Sequence, residues 1–528
     1  QDDCLDARAW QETNPVGRSM IEGDATWFSR VAARARAWRN TTFSMLDHTW
    51  LLILWAVSTP IFISALGAEM FGVWILLNAI VGLGGVFSFG FGEATIRFVA
   101  KYREREDTDT IRKIIETCLL LYMILGLFFG ALVAALAEWI AVDGFDLAGE
   151  AARDCIIGLR LVGVALFIAS FLKTFEAVIN GYERFDISAR TGMITRSFII
   201  LSAVALALTG YGFVWMVAVT VLGLLGQMIA YRIIMSRKFI DRIRPLGFYH
   251  RDVIREILGF GTQSWLQTTA GALGNIVDRF LVGIIIDPAA AGIYSICLQL
   301  AQQMHLLLVR GLAFLMPTAA RAAASDRDTS ILVGQYRSAL FVTLLLLGTV
   351  LAPLYILAGD ILRFWVGQEY ADAGEVVLRY LTLYFAALSG AVASFYVVNG
   401  AGLATWNTVG NLLHGIVIAG GAALLLPVFD LNGIGIARLL ALPTMMIAIY
   451  ALHRHVFQSS GAQDSLWFWF LLTLQVSALI ILTPILETYL PSDFLPLFGI
   501  GTLLIAVGVL TLAGPFWMRT RILQQHGA

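Results

Sequence analysis

Long apolar blocks constrain the fold of this chain more than any other feature. They recur along most of its 528 residues, each roughly 20–28 residues long, and about 20 apolar residues in a helix cross the ~30 Å hydrocarbon core of a bilayer. Only 14% of the residues are charged, against about 25% in an ordinary soluble domain, so the chain lacks the polar surface to cover these blocks in water. Because backbone groups in lipid must bond within their own segment, each block is expected to be helical. The sequence therefore predicts an all-α polytopic membrane protein.

Charged residues separate the apolar blocks into about 14 predicted transmembrane helices, numbered here as spans 1 to 14. In chain order they cover residues 43–67, 70–95, 113–138, 155–180, 192–210, 213–235, 257–285, 289–318, 333–358, 376–399, 404–428, 431–453, 466–487 and 494–516. The connections alternate in charge. Arginine and lysine gather before span 1 and after spans 2, 4 and 6, whereas the connections after spans 1, 3, 7, 9, 11 and 13 carry mainly acids. Because basic residues mark cytoplasmic loops, both termini are predicted to lie on the cytoplasmic side of the inner membrane.

The two halves of the chain resemble each other at an offset of 218 to 220 positions. "FGVW" (71–74) matches "AGIY" (291–294), Asn180-Gly181 matches Asn399-Gly400, and "QMIAYRI" (227–233) matches "MMIAIYA" (445–451). Chance likeness between apolar helices is the alternative explanation. Six spans separate equivalent positions, so the repeats run parallel, as in transporters whose two bundles are related by an axis along the membrane normal. This predicts two six-helix lobes related by a pseudo-two-fold axis, plus two C-terminal helices.

The predicted organisation has five parts, defined by the repeat and by the charge of the connections. They are a cytoplasmic N-terminal tail (1–42), an N-lobe (43–235), a basic cytoplasmic linker (236–256), a C-lobe (257–456), and a C-terminal part with spans 13 and 14 and a cytoplasmic end (457–528).

Three segments carry a resemblance to a known family. They are "DRFLVGIIIDPAAAGIYSICLQLAQ" (278–302), "FGVWILLNAIVGLGGVFSFGFGEATIRFVAKY" (71–102) and "NGYERFDISARTG" (180–192). Across about residues 43–456 the chain resembles the polysaccharide-transport members of the MOP exporter superfamily, which are flippases of O-antigen and exopolysaccharide repeat units. The resemblance implies two lobes around a cavity that opens alternately to each side of the membrane. It also implies an oligosaccharide on a polyprenyl diphosphate as cargo, with membrane lipids and glycan polymerase machinery as partners.

Arginines within the spans are the predicted cargo-binding residues. Charged groups in spans are costly and usually mark a pathway, and a guanidinium can fork two donors onto phosphate oxygens. Arg310, expected well inside span 8, is the first candidate, followed by Arg279, Arg97 and Arg160. Each has a structural alternative: Arg279 as the partner of an acid on another helix, Arg97 as a cytoplasmic anchor, and Arg160, like Arg438, as a side chain that snorkels to the outer interface.

Three acids are predicted sites for a coupling ion, either H⁺ or Na⁺. They are Asp278, Glu93 and Glu176. A buried carboxylate favours its neutral form and a nearby arginine favours its charged form, so lobe movement could switch between them. An ordinary salt bridge is the alternative. Asp278 is not expected to pair with the adjacent Arg279, because neighbours point different ways around a helix. The histidines His48, His305 and His414 are interpreted as polar cavity or packing residues.

Several function classes find little support in the sequence. A net charge of −1 gives no basic field for nucleic acid. The chain lacks a phosphate-cradling loop, a nucleophile elbow and metal-ligand spacing, so no enzyme, cofactor or metal is predicted. The expected function is a secondary transporter that flips the lipid-linked oligosaccharide from the inner to the outer leaflet. A peptidoglycan-precursor (lipid II) flippase, a drug or cation antiporter of the same superfamily, and a membrane glycan polymerase or glycosyltransferase stay open as alternatives.

Overall fold

The computed structural model describes residues 15–82, 90–239, 248–251, 253–254, 269, 277–324, 330–457 and 462–489. These residues form helices and no strands. Ten of the helices described are long and apolar enough to cross a membrane. The predicted all-α membrane fold is therefore confirmed. The principal elements are α1 (15–66), α2 (68–82), α3 (Phe91–Arg103), α4 (Thr108–Ala135), α5 (Gly149–Gly181), α6 (Phe185–Leu208), α7 (Phe213–Lys238), α8 (277–285), α9 (Pro288–Gly311), α10 (Leu315–Ala324), α11 (Ser330–Leu346), α12 (Ala358–Val366), α13 (Gln368–Gly390), α14 (Val392–Gly400), α15 (Ala404–Phe429), α16 (Asn432–Leu440) and α17 (Ala462–Tyr489).

Short helical turns join or extend these elements. They are Ala137–Trp139 and Ile140–Gly144 after α4, Leu347–Leu351 and Ala352–Ile356 after α11, and Leu442–Met445, Met446–Ala451 and Leu452–Val456 after α16. The turns beginning at Ile140, Leu347 and Leu452 are π-helical. Below, the first half means α1 to α7 and the second half means α8 to α16.

The break between α1 and α2 lies at Gly67, whose φ of 73° and ψ of 170° lie outside the helical region. Phe62 and Trp74 lie on either side of it, with ring centroids 5.8 Å apart. In a straight helix, residues twelve positions apart are separated by about 18 Å. The chain therefore reverses at Gly67 and forms the hairpin expected for spans 1 and 2.

The other predicted spans agree with the helices to differing extents. Spans 3 to 6 and 8 to 12 each coincide with one long apolar helical stretch, and span 13 coincides with α17. Only residue 269 and residues 277–285 of span 7 are described, and span 14 (494–516) lies outside the described residues. The number of fourteen spans and the five segment boundaries therefore stay predictions.

Equivalent contacts recur in the two halves at the offset found in the sequence. A Cβ atom added to Gly181 would lie 2.8 Å from the side chain of Val99, and one added to Gly400 would lie 2.8 Å from Ala319 Cβ. Each glycine thus lets the end of one helix (α5 or α14) approach another (α3 or α10). The asparagines that precede these glycines also match. Asn180 Oδ1 accepts a hydrogen bond from Ser188 at 2.7 Å, and Asn399 Oδ1 accepts one from Asn407 at 2.9 Å.

The buried apolar side chains show where the two halves meet. One cluster contains residues of both halves, from Phe62, Phe71 and Trp74 to Tyr294 and Ile434. At the opposite end of the helices the described core separates. One cluster there draws only on residues 91–253, and another only on residues 304–472. The halves are thus packed together at the end that the charge pattern assigns to the outside, and their cores are separate at the predicted cytoplasmic end.

Candidate functional site

The closest contact between the halves is made by α2 and α9. Gly72 lies against the carbonyl group of Pro288, and a Cβ atom on Gly292 would lie 3.2 Å from Gly72 Cα. A second contact lies nearby, where Trp365 Nε1 donates a 2.8 Å hydrogen bond to the carbonyl oxygen of Ala56. Gly72 and Gly292 are equivalent positions of the repeat, so the pseudo-two-fold relation brings like residues together at this point.

The position of Arg310 relative to this contact follows from helix geometry. It lies eighteen residues after Gly292 in the same helix, which is five turns at 3.6 residues per turn and places both on one face. Gly292 contacts the first half, so Arg310 faces the same way, about 27 Å further along the helix axis. Gln299 and Gln303 lie on this face between them. The face of α9 that points toward the first half therefore carries two amides and one guanidinium beyond the glycine contact.

The sequence places Arg310 well inside span 8, and its depth in the membrane stays a prediction. The structure places it in the last turn of α9, where its side chain is exposed. The distance from Pro288 is about 33 Å along the axis, which is close to the full thickness of the hydrocarbon layer. A cation in the last turn of a helix is also favoured by the partial negative charge of the helix C-terminus.

Asp278 belongs to a buried cluster that the sequence analysis did not anticipate. Its carboxylate accepts hydrogen bonds from Arg438 Nη2 and from the Tyr294 hydroxyl, and Arg438 Nε lies 2.8 Å from the Tyr294 oxygen. The backbone N–H of Arg279 donates to the other carboxylate oxygen at 2.8 Å. Asp278 is 1% exposed and Arg438 is 0% exposed, so this ion pair is isolated from solvent.

Arg438 does not snorkel to an interface, so that interpretation is wrong. Arg438 lies only eight residues after the predicted outer Asp430, which is why the sequence suggested a surface position. In the structure α16 packs against α13 and α15. The Arg438 guanidinium lies over the ring of Tyr384, 4.9 Å from the ring centroid, and 5.9 Å from the ring centroid of Phe385.

A hydrogen-bonded chain leads from this cluster to a cavity. The Tyr384 hydroxyl lies 2.7 Å from His414 Nε2, and His414 Nδ1 lies 2.7 Å from Thr444 Oγ1. His414 is part of the wall of a cavity of about 360 Å³ inside the second half. Gln302, His305, Asn407 and Asn411 also line it, together with aromatic side chains. His305 and His414 are therefore cavity residues, as interpreted from the sequence, whereas the side chain of His48 is not described.

The remaining predicted site residues lie apart from this cluster. Arg279 is partly buried, with its Nε atom buried and without a hydrogen-bond partner. Glu93 and Arg97 are both exposed on α3, four residues apart and hence on one face. Arg160 is exposed on α5. Glu176 forms an ion pair with Lys173 at 3.3 Å, in which both side chains are at least 40% exposed.

The structure thus brings together Asp278, Tyr294, Tyr384 and Arg438, of which only Asp278 was a predicted site residue. The signal that could have found the others was weak, because an arginine and two tyrosines on three helices have no common sequence spacing. Among the described residues, no group of three or more histidine, cysteine, aspartate or glutamate side chains is placed to hold a metal ion.

Comparison with known proteins identifies the family. A model described as "Polysaccharide biosynthesis protein" matches residues 65–375, which is more than half of the chain. The chain belongs to this family. The resemblance inferred from the sequence is therefore confirmed. A curated protein of Shigella flexneri described as an O-antigen transporter is 22% identical over 377 residues, covering 67% of this chain and 84% of its own length.

Solved structures show the fold to which the chain is similar. The lipid II flippase MurJ, in an inward closed conformation, has a TM-score of 0.67 with 15% identity, covering 90% of this chain and 99% of its own. A multidrug resistance MATE family transporter of the MOP superfamily, in an inward-facing conformation, has a TM-score of 0.61 with 17% identity, covering 81% of this chain and 94% of its own. At such low identity these similarities establish a shared fold alone.

Proposed function

We propose that this protein is a flippase that moves an oligosaccharide linked to a polyprenyl diphosphate from the inner to the outer leaflet of the cytoplasmic membrane. The observation that carries this proposal is the gap between the halves, closed at the Gly72–Gly292 contact and faced by Arg310 at its other end, in a polysaccharide biosynthesis family member. The termini are proposed to be cytoplasmic, on the charge pattern of the connections.

The diphosphate is the part of this cargo that opposes membrane crossing most strongly. A guanidinium stays charged and presents two parallel donors to phosphate oxygens, which an ammonium cannot do. Arg310 is exposed at the predicted cytoplasmic end of the gap, where a lipid head group in the inner leaflet would first meet the protein. Arg97, exposed on α3 of the first half, is proposed to contribute from the opposite side. Arg279 is a weaker candidate because its side chain is partly buried. Arg160 is weaker because it lies on α5, whereas Arg310 and Arg97 lie on α9 and α3.

Alternating access requires the closed end to open, and its contacts are suited to separation. Gly72 and Gly292 offer only backbone surface to each other, and the tryptophan contact adds one hydrogen bond and one ring pair, Trp55 with Trp365, at 4.7 Å. A neutral hydrogen bond contributes about 1 kcal/mol net. Rotation of the halves would therefore break few directional contacts at these points, while the apolar side chains of the cluster shared by the halves would also have to separate. No covalent step is needed, so the protein is proposed to act as a transporter and not as an enzyme.

Glu93 is the best candidate among the three predicted coupling acids. Glu176 is occupied by Lys173 in an exposed pair, and Asp278 accepts hydrogen bonds from Arg438, Tyr294 and the Arg279 backbone. An acid held by three donors in a dry site has little capacity for an ion. Glu93 is exposed on the face that also carries Arg97, so H⁺ or Na⁺ binding there would change the charge beside a cargo-binding arginine.

Arg310→Ala tests the proposal directly. In a strain whose surface polysaccharide depends on this protein, the variant should lower surface glycan at least about tenfold, because a bidentate phosphate contact is lost. Arg310→Lys keeps the charge without the fork and should give an intermediate level. Membrane protein abundance is measured in parallel, and Arg112→Ala, an exposed arginine that pairs with Asp109, serves as control.

Normal glycan in Arg310→Ala at wild-type abundance would contradict the role of Arg310. Complementation also separates the alternatives, since a lipid II flippase should instead rescue a strain that lacks peptidoglycan precursor flipping. A drug antiporter would alter resistance without changing glycan. The proposed polymerase partner is tested by co-purification from the same strain.

A further inference from the structure

The cavity in the second half has the composition of a site for a neutral, polyhydroxylated ligand. Tyr384, Phe385 and Tyr396 supply aromatic surface, and Gln302 and Asn411 supply amide groups. No aspartate, glutamate, lysine or arginine belongs to the described part of its wall. Most small-molecule sites are clefts of about 300–1,000 Å³ with largely apolar walls and a few placed polar groups, and at about 360 Å³ this cavity lies at the lower end of that range.

The aromatic ring of Tyr384 separates the charged cluster from this cavity. Arg438 lies behind Tyr384, with its guanidinium 4.9 Å from the ring centroid. Arg438 is 0% exposed and its charge is compensated by Asp278. Tyr384 therefore separates the cavity from the ion pair, which favours an uncharged ligand.

One wall residue has an unused hydrogen-bonding group. Asn407 is 2% exposed, and its Nδ2 donates both to the carbonyl oxygen of Phe395 and to Asn399 Oδ1, at 2.9 Å each. Its Oδ1 atom is buried and has no hydrogen-bond partner. Leaving such an acceptor unsatisfied costs about 1–3 kcal/mol. Asn407 therefore ties α15 to α14 behind the cavity wall, and the amides that a ligand can reach are those of Gln302 and Asn411.

The cavity is adjacent to the proposed diphosphate site. Val309 is part of its wall, and Arg310 is the next residue of α9. The Arg310 side chain is turned about 100° from Val309 around the helix, toward the gap between the halves. A sugar attached directly to a diphosphate at Arg310 would thus have this cavity as its nearest enclosed polar space.

We propose that this cavity binds an uncharged sugar ring of the lipid-linked glycan, such as a hexose or an N-acetylhexosamine, during transport. The inference rests on the proposed function, because the cargo supplies the ring. The ring's C–H faces pack on the aromatic side chains, and its hydroxyl or acetamido groups hydrogen-bond with the amides of Gln302 and Asn411. The cavity holds one or two rings, so it selects the sugar nearest the diphosphate and not the whole repeat unit.

The test compares two probes on the purified full-length protein in lipid nanodiscs. The probes are farnesyl diphosphate and farnesyl diphosphate bearing one N-acetylhexosamine. The wild type should bind the sugar-bearing lipid about tenfold more tightly, since one or two additional hydrogen bonds form. The free N-acetylhexosamine should compete only weakly, because it lacks the diphosphate that tethers it beside the cavity.

The key variant is Gly410→Leu, which fills the cavity from α15. A Cβ atom at Gly410 would make ordinary contacts, 3.6 Å from the Thr444 carbonyl oxygen, so the larger side chain extends into the cavity. Gly420→Leu makes the same change ten residues later on the same helix, where a Cβ atom meets nothing within 4 Å. Gly410→Leu should reduce the sugar preference to near one without changing the affinity for bare lipid, and Gly420→Leu should keep both.

Two further variants protect the test against misfolding. Gln302→Leu and Asn411→Leu remove polar groups without adding bulk, and each should lower the sugar preference several-fold. Unchanged preference in Gly410→Leu and in both polar variants would overturn the inference and leave a water-filled packing space. Strong competition by the free sugar would also overturn it, in favour of a site for a soluble sugar. Failure of the wild type to bind either lipid would instead overturn the proposed function itself.

Discussion

The two halves share the same arrangement of helices but differ in the side chains buried between those helices. The second half contains Tyr294, Tyr384 and Arg438 around a buried carboxylate, beside a cavity of about 360 Å³. At offsets of 220, 219 and 218 positions, the first half has Trp74, Ala165 and Thr220. These three residues also lie together, and they line a void of only about 10 Å³. The position equivalent to Asp278 is the buried Ser58.

This difference shows that the repeat conserves helix packing and not interior chemistry. The glycine contacts that set helix approach recur in both halves, at Gly181 and Gly400 and at Gly72 and Gly292. In the first half an indole lies where the second half has the Tyr294 phenol, and a threonine lies where it has the buried Arg438. We infer that the first half is the more rigid body and that recognition of the neutral part of the cargo belongs to the second half.

The largest effect that would sharpen this comparison is expected from Arg438→Met. The change leaves Asp278 charged and without a partner in a site closed to water. Such a change typically lowers the free energy of unfolding by about 3–5 kcal/mol. The equivalent change in the first half, Thr220→Val, should cost less than about 1 kcal/mol. Thermal unfolding of the detergent-purified variants measures both.

A double variant identifies the cause of that loss. Asp278→Asn combined with Arg438→Met removes both charges and should be more stable than Arg438→Met alone, because no unpaired charge remains. Equal stability of Arg438→Met and Thr220→Val would show that the ion pair does not distinguish the halves energetically.

A smaller effect is expected from alanine at the repeated glycines. In Gly400→Ala the new methyl group meets the carbonyl oxygen of Met316, and a backbone group cannot move aside, so the change should cost about 2–3 kcal/mol. In Gly181→Ala it meets Val99 Cβ and Cγ1, both 2.8 Å away, which is a less severe overlap, and the cost should be about 1 kcal/mol. Unfolding midpoints compare the two. The reverse order would mean that the two helix contacts are not equivalent.

The smallest effect concerns the chain between the ion pair and the cavity. Tyr384→Phe removes the hydroxyl that bonds His414 and should cost about 1 kcal/mol. Tyr380→Phe on the same helix provides a control, because no hydrogen bond of its hydroxyl is described. A loss as large as that of Arg438→Met would indicate that Tyr384 is essential to the charged cluster and not only a partition between it and the cavity.

Much of the fold could be predicted because its signals are local. Nine predicted spans coincide with single apolar helical stretches, since lipid forces each block to bond its own backbone. The hairpin at Gly67 was predicted from the break between two such blocks. The repeat was visible in three short matches, and the contacts of Gly181 and Gly400 show why these glycines were kept, because each helix crossing leaves no room for a side chain.

The candidate site was less accessible to sequence reasoning. Asp278 was singled out as an acid in an apolar run, but its partner lies 160 positions away on α16. Arg438 looked like an interfacial residue because it lies close to Asp430 in sequence, whereas the structure buries it beside Tyr384. Glu176 looked like a coupling acid, although Lys173 one turn earlier forms an ion pair with it.

The sequence alone indicated that this protein lies in a membrane, where its helical spans are, their predicted direction and the family to which it belongs. It could do so because hydropathy and charge are properties of each residue along the chain. Only the tertiary structure decided which charges neutralise each other, which face of α9 meets the other half, and which half encloses a cavity. Those properties depend on the rotation and approach of helices that are far apart in sequence, and close packing fixes them only when the helices come together.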